Sequence, residues 1–161
     1  MIKVVDNFLN QKDFLLLRDY LFDNNTPWFV RDTTIDGGDN ITWFGHCFYI
    51  DNRPDNDMFD KLIPPVLDKL NVQSLMRVQC NLCLKSPEQK QSGWHYDTPS
   101  KNSTTSILYM NTNNGYTSFK DNTKVDCVEN RMVIFPSSIE HCGVLSSDSE
   151  KRIVINFNYY G

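Results

Sequence analysis

Only three histidines occur in this sequence, and no apolar run approaches the ~20 residues that span a bilayer, so no transmembrane helix is expected. The opening MIKVVDNFLN has no basic segment followed by an apolar run and a small-residue cleavage site, so no signal peptide and a cytoplasmic location are expected. A surplus of positive charge is also missing. The formal net charge of −4 gives no overall basic field to draw the chain onto nucleic acid. The five cysteines, Cys47, Cys80, Cys83, Cys127 and Cys142, are an odd number with no secretory signal, which suits reduced thiols. Cys80 and Cys83 form a single C-x-x-C, and a structural zinc site would want a second such pair. They are read instead as strand cysteines in a packed sheet.

What is present suits one compact unit: 161 residues, of which 40% are hydrophobic and 12% aromatic. IKVV at 2–5 reads as a short strand. QKDFLLLRDYLF at 11–22 reads as a helix, because Phe14, Leu17 and Leu21 recur at helical spacing and Asn10 can cap it. The polar 31–42 segment reads as a loop and the aromatic 41–50 segment as a strand. A second helix over 56–70 must break or kink at Pro64 and Pro65. From about residue 73 the chain becomes a series of short β-branched and aromatic runs separated by glycine, asparagine and serine. The expected class is α+β, mainly β: a sandwich or barrel buttressed by N-terminal helices, forming one domain over 1–161 with 1–72 as its helical part and 73–161 as its β core.

Within GWHYDTP at 93–99, period-2 alternation in a strand puts His95 and Asp97 on one face and Tyr96 on the other. Alone this is weak, since acidic residues are common enough for a chance His-x-acid pair. RMVIFPSSIEHCG then brings His141 after a strand and a proline turn, and Arg152 opens the strand RIVINFNYY eleven residues later. Alternation there puts Arg152, Val154, Asn156 and Asn158 on one face, and Ile153, Ile155, Phe157 and Tyr159 on the other. An arginine heading such a strand needs solvent or an anion. Two histidines and an aspartate make the facial triad of non-haem Fe(II) sites, and a nearby guanidinium fork suits the far carboxylate of a dicarboxylic co-substrate.

These residues resemble the Fe(II)- and 2-oxoglutarate-dependent dioxygenases, most closely the prolyl-4-hydroxylase-like branch. VVDNFL, SILYMNTNNGYTSFKD, ENRMVIFPSSIEHCG and RIVINFNY carry the resemblance, which covers most of the chain from about residue 70 onward. It implies a double-stranded β-helix, a jelly roll of eight strands in two sheets. It implies iron held by His95, Asp97 and His141, with O2 and 2-oxoglutarate as co-substrates and ascorbate as an accessory candidate. Arg152 and Tyr109 would hold the 2-oxoglutarate C5 carboxylate, with Asn156 on the same face as Arg152. The chain departs from the family where a tyrosine often stands on the first core strand. Cys83 takes that place, leaving Asn81 or a water to supply the contact.

The resemblance implies hydroxylation of a C–H bond, in a prolyl or other peptide side chain or in a small molecule, with release of succinate and CO2. Two other readings compete: a cupin-like metal or interaction module without oxygenase activity, and a nucleotide- or base-modifying oxygenase. The second would need a channel lined by Lys85, Lys90 and Lys101. The 31–47 and 85–104 segments are the expected substrate loops. Trp28, Trp43 and Trp94 are candidates to stack on a substrate, though a buried core is the commoner fate of tryptophan. His46 is expected to be structural. The sequence does not fix an oligomeric state.

Overall fold

The computed structural model describes residues 1–32, 38–100 and 102–161. The expected 31–42 loop therefore lies partly outside the described residues, as does Lys101. The elements run β1 (Lys3–Val5), α1 (Gln11–Phe22), β2 (Phe29–Arg31), β3 (Trp43–Ile50), β4 (Arg53–Pro54), α2 (Phe59–Leu62), α3 (Pro64–Leu70), β5 (Ser74–Leu84), β6 (Thr104–Tyr109), β7 (Tyr116–Phe119), β8 (Lys124–Asp126), β9 (Met132–Pro136), β10 (His141–Val144) and β11 (Lys151–Tyr160). The larger sheet has the order β1-β9-β6-β11-β5-β3-β2, with β4 on the side of β3, and the smaller sheet has the order β10-β7-β8. All pairings are antiparallel. This is a double-stranded β-helix. Beyond β10 the smaller sheet thins to isolated bridges, Gln91 with Val144 and His95 with His141.

The helices form where expected. Asn10 accepts from the Asp13 backbone N–H at the start of α1, and Phe14, Leu17 and Leu21 are its buried stripe. Pro64 and Pro65 interrupt the second helical segment and open α3, where a missing N–H costs nothing. The central strand β11 explains the layering. Ile153, Ile155, Phe157 and Tyr159 join Phe14, Leu17, Leu21, Ile63 and Val66 in a core between the sheet and the helices. Val154 turns the other way, into a second core between the sheets with Ile107, Tyr109, Phe119, Val133 and Phe135. The strand is buried on both faces, so its polar residues must be satisfied inside the sandwich.

All five cysteines are free thiols. Cys80 packs in the helix-side core, whereas Cys83, on the opposite face of β5, lines the cavity between the sheets. The C-x-x-C pair thus points two ways and cannot share an ion.

Asn130 ties the N-terminus to the sandwich. Its side chain accepts from the Leu9 N–H at 2.9 Å and donates to the Leu9 carbonyl at 2.9 Å, and its backbone sits at φ 59°. An alanine loses both buried hydrogen bonds and tolerates that backbone less well. Asn130→Ala is expected to lower unfolding free energy by about 2–3 kcal/mol in denaturant titration. A loss under ~0.5 kcal/mol would remove Asn130 from this role.

His46 is structural, as expected. It is buried against Tyr20, Trp28 and Phe48, its Nδ1–H donates to the Pro27 carbonyl at 2.9 Å, and it is not part of the cavity wall. Burial pushes its pKa below the ordinary 6.5, outweighing the Pro27 hydrogen bond. The unfolded chain therefore takes the proton first, and the stability tied to neutral His46 is lost as pH falls below 6.5. Denaturation series from pH 8 to pH 5 are expected to fall more steeply for the wild type than for His46→Asn. Parallel curves would contradict this.

Candidate metal centre

His95 and His141 are brought together by the backbone. The His95 N–H donates to the His141 carbonyl at 2.9 Å and the His141 N–H to the His95 carbonyl at 3.0 Å. This corrects one expectation: WHYD is not a ladder strand but a loop touching β10 through a single bridge. The alternation of side chains nevertheless survives. Tyr96 faces outward, 55% exposed, while the Asp97 side chain is 3% exposed.

Two backbone carbonyls set the imidazoles. His95 Nδ1–H donates to the Gly93 carbonyl at 2.9 Å and His141 Nδ1–H to the Ile139 carbonyl at 3.4 Å. A carbonyl only accepts, so each Nδ1 carries the proton and each Nε2 lone pair is free. Those Nε2 atoms lie 3.6 Å and 3.7 Å from the same Asp97 oxygen, Oδ1. Donors about 2.1 Å from a metal and at right angles to one another stand about 3 Å apart, so small inward rotations close this set around one ion. Phe119 and Phe135 pack behind His141 and exclude water from that side.

The electrostatics favour a cation here. Burial works to raise the Asp97 pKa, but the His95 and His141 imidazoles and the Arg77 guanidinium around it hold it well below the usual carboxylate range. Burial pushes His141 down. For His95, burial is outweighed by Asp97 and the Gly93 carbonyl, and the net shift is upward. Among the described residues, this is the group of His, Cys, Asp and Glu donors that could hold a metal ion.

The group faces a cavity of about 610 Å³ whose wall includes Arg77, Gln79, Asn81, Cys83, Arg152 and Asn156. Arg152 is 6% exposed, and no ion pair with a carboxylate forms around it among the described residues. Its Nε donates to Cys127 Sγ at 3.1 Å, and its guanidinium lies 6.0 Å from the Tyr109 ring centre. A buried guanidinium whose partners are a thiol and a ring is costly to bury without an anion. Asn156 Oδ1 is buried too and has no hydrogen-bond partner among the described residues.

Other expected residues fall as follows. Tyr109 is fully buried and its hydroxyl donates to Thr117 Oγ1 at 2.7 Å, so Tyr109 backs the wall while Thr117 forms it. With its oxygen accepting from Tyr109, the Thr117 hydroxyl proton is left to point elsewhere. Sequence reasoning missed Thr117, for which period-2 alternation from Phe119 gave no polar signal. It also missed Arg77, whose signal was present in the alternation Arg77, Gln79, Asn81, Cys83. Asn81 lines the cavity and its Oδ1 accepts from Gln79 at 3.2 Å. Trp43 and Trp94 line the cavity, while Trp28 packs with His46. Lys85 pairs with Glu150 at 3.3 Å and Lys90 donates to the Asn40 carbonyl at 2.9 Å, both away from the cavity wall.

Metal and protons compete for the same imidazole nitrogens. Cobalt(II) titrations followed by visible absorption are expected to give affinities that weaken as pH falls through the His95 pKa, with weakening already under way above the ordinary 6.5 because that pKa is raised. An affinity flat from pH 8 to pH 5.5 would show that His95 is not a ligand.

No protein-family model matches the sequence, and no curated protein matches it either. Solved structures do match. An oxidoreductase of the 2OG-Fe(II) oxygenase family from Burkholderia pseudomallei superposes with a TM-score of 0.71 at 12% identity, covering 99% of this chain and 84% of its own. A prolyl hydroxylase from Trichoplax adhaerens, in complex with a hypoxia inducible factor oxygen degradation domain peptide fragment, gives 0.66 at 12% identity, covering 99% and 83%. The epimerase SnoN in complex with Fe3+, alpha-ketoglutarate and nogalamycin RO gives 0.67 at 9% identity, covering 99% and 78%. At such identities the likeness is one of fold, and the chain has the jelly-roll architecture that these oxygenases share.

Proposed function

We propose that this chain is a non-haem Fe(II)- and 2-oxoglutarate-dependent oxygenase that hydroxylates a C–H bond. The observation that carries the reading is two features of one cavity: three converging donors at one point, and at another a buried guanidinium that pairs with no carboxylate among the described residues. Similar structures, a prolyl hydroxylase in complex with a peptide fragment and an epimerase in complex with Fe3+ and alpha-ketoglutarate, support it. The residues present fit both groups. His95, Asp97 and His141 would hold the iron, leaving sites open for co-substrates. Arg152 would take the distal carboxylate of 2-oxoglutarate, helped by the Thr117 hydroxyl, with Tyr109 fixing Thr117 and backing the guanidinium. Asn81 and Asn156 offer amides along the same wall, in place of the contact that Cys83 does not supply.

Iron with 2-oxoglutarate supplies the oxidising chemistry: O2 is consumed, 2-oxoglutarate loses CO2 to become succinate, and a substrate C–H becomes C–OH. The chain itself does the positioning. The Gly93 and Ile139 carbonyls keep each Nε2 unprotonated, and Asp97, held ionised, would lower the net charge of a bound metal. Phe119, Phe135 and Ile107 keep the inner wall apolar. The substrate would be a peptide side chain, prolyl or other, or a small molecule. Ascorbate is a candidate for returning the iron to the ferrous state.

A metal-binding module without oxygenase chemistry would have no use for an interior arginine without a carboxylate, which ranks that reading second. A base-modifying oxygenase ranks lower, because Lys85 and Lys90 are engaged elsewhere.

Anaerobic Fe(II) plus 2-oxoglutarate is expected to give a weak visible charge-transfer band, and admission of air to give slow succinate release without added substrate. His141→Ala should abolish both. Arg152→Ala should weaken 2-oxoglutarate binding by about 2–4 kcal/mol. A metal-loaded protein with neither band nor succinate, or an Arg152 variant with unchanged affinity, contradicts the proposal.

A further inference from the structure

The cavity floor is a cross-strand ladder formed by the inward residues of β5 and β11. Its rows pair Arg77 with Asn158, Gln79 with Asn156, Asn81 with Val154, and Cys83 with Arg152. A guanidinium therefore stands at each end, with amides between. The proposed function uses the Arg152 end and leaves the Arg77 end unexplained.

Arg77 is not simply a strut for the metal ligand. Its Nε donates to Asn158 Oδ1 at 3.0 Å, which fixes the plane of the fork. Its Nη2 lies 3.8 Å from Asp97 Oδ1, a long contact at the limit of an ion pair. Its side chain is 28% exposed and lines the cavity. Asn158 Nδ2 reaches the other Asp97 oxygen at 3.4 Å. Once Oδ1 is given to a metal ion, that contact is weaker still, and the fork keeps an edge turned to the cavity.

A charge count points the same way. The two charges of the metal and the one of Arg152 are met by Asp97 and a doubly anionic co-substrate. Among the described residues of the cavity wall, Arg77 is then the cation left over, and no acidic side chain other than Asp97 lines that wall. A fixed fork beside the metal site, in a partly buried wall, favours an oxyanion with two oxygens to share over a neutral group.

We infer that Arg77 is the specificity residue of the site, and that the molecule oxidised carries a carboxylate or phosphate which Arg77 holds beside the metal. This rests on the oxygenase reading for its chemistry, but the anion site can be tested without turnover. The cavity wall also includes Trp43 and Trp94, whose rings offer such an acid apolar surface.

The test uses the full chain loaded with Zn(II) and 2-oxoglutarate, and matched pairs of probes: N-acetylphenylalanine with its amide, mandelate with mandelamide, and N-acetylphosphoserine amide with N-acetylserine amide. Ligand-observed NMR or calorimetry reads the affinities. In at least one pair the acid is expected to bind about tenfold or more tightly than its neutral partner, and whether a carboxylate or the phosphate leads identifies the source of the oxyanion. In Arg77→Met the preference should shrink to about twofold or less, and Arg77→Lys should recover part of it. On the wild type the preference should also fall as NaCl is raised, which needs no variant. The inference is overturned if no acid binds, if acids and neutral partners bind alike, or if the preference survives in Arg77→Met. It is also overturned if the only loss in that variant is 2-oxoglutarate affinity. An acid preference with no Fe(II) charge-transfer band would sink the oxygenase reading and leave the anion site standing.

Discussion

A carboxylate shut inside a sandwich between two imidazoles is the constraint on which the rest depends. Asp97 is almost completely removed from water, yet its surroundings keep it ionised. The neighbours that do so are two imidazoles and one guanidinium at long range, a weak set of partners for a buried charge. An arrangement of that kind is costly unless a cation completes it. The fold spends a backbone bridge, two carbonyl acceptors and an aromatic wall on holding the donors in place without one.

The same economy appears at Arg152. A strand buried on both faces normally carries apolar residues throughout, and β11 does so on its helix side. On its inner side it carries Arg152, Asn156 and Asn158, each nine-tenths buried or more. Polar groups there are satisfied pairwise with β5, with Asp97 or with Cys127, and the exceptions face the cavity. Unmet polar valence in an otherwise well-satisfied interior marks where small molecules belong.

Much of this was legible in the sequence because period-2 alternation is rigid. Once RIVINFNYY is a strand, the facing of Arg152 and Asn156 follows, and the helical stripe of Phe14, Leu17 and Leu21 follows from spacing in the same way. What could not be read depended on contacts far apart in sequence. WHYD reads as a strand or strand end, but its pairing with β10 stops at one bridge, and the flanks with Pro87 and Pro99 give no ladder to extend it. The sequence offers Tyr109 for the co-substrate but not its link to Thr117, a partner that appears only when β7 folds across the second core. Arg77 was visible in the alternation of β5, yet a lone arginine on a strand says nothing until Asn158 and Asp97 are seen beside it.

The central claim is that His95, Asp97 and His141 close around one iron. X-ray absorption at the iron edge, on the anaerobic Fe(II) protein, tests it most directly. Scattering from two imidazoles is expected, with oxygen in the remaining positions, and His141→Ala should retain only one. A sulfur neighbour from Cys83 or Cys127, or iron with no imidazole at all, would contradict the account.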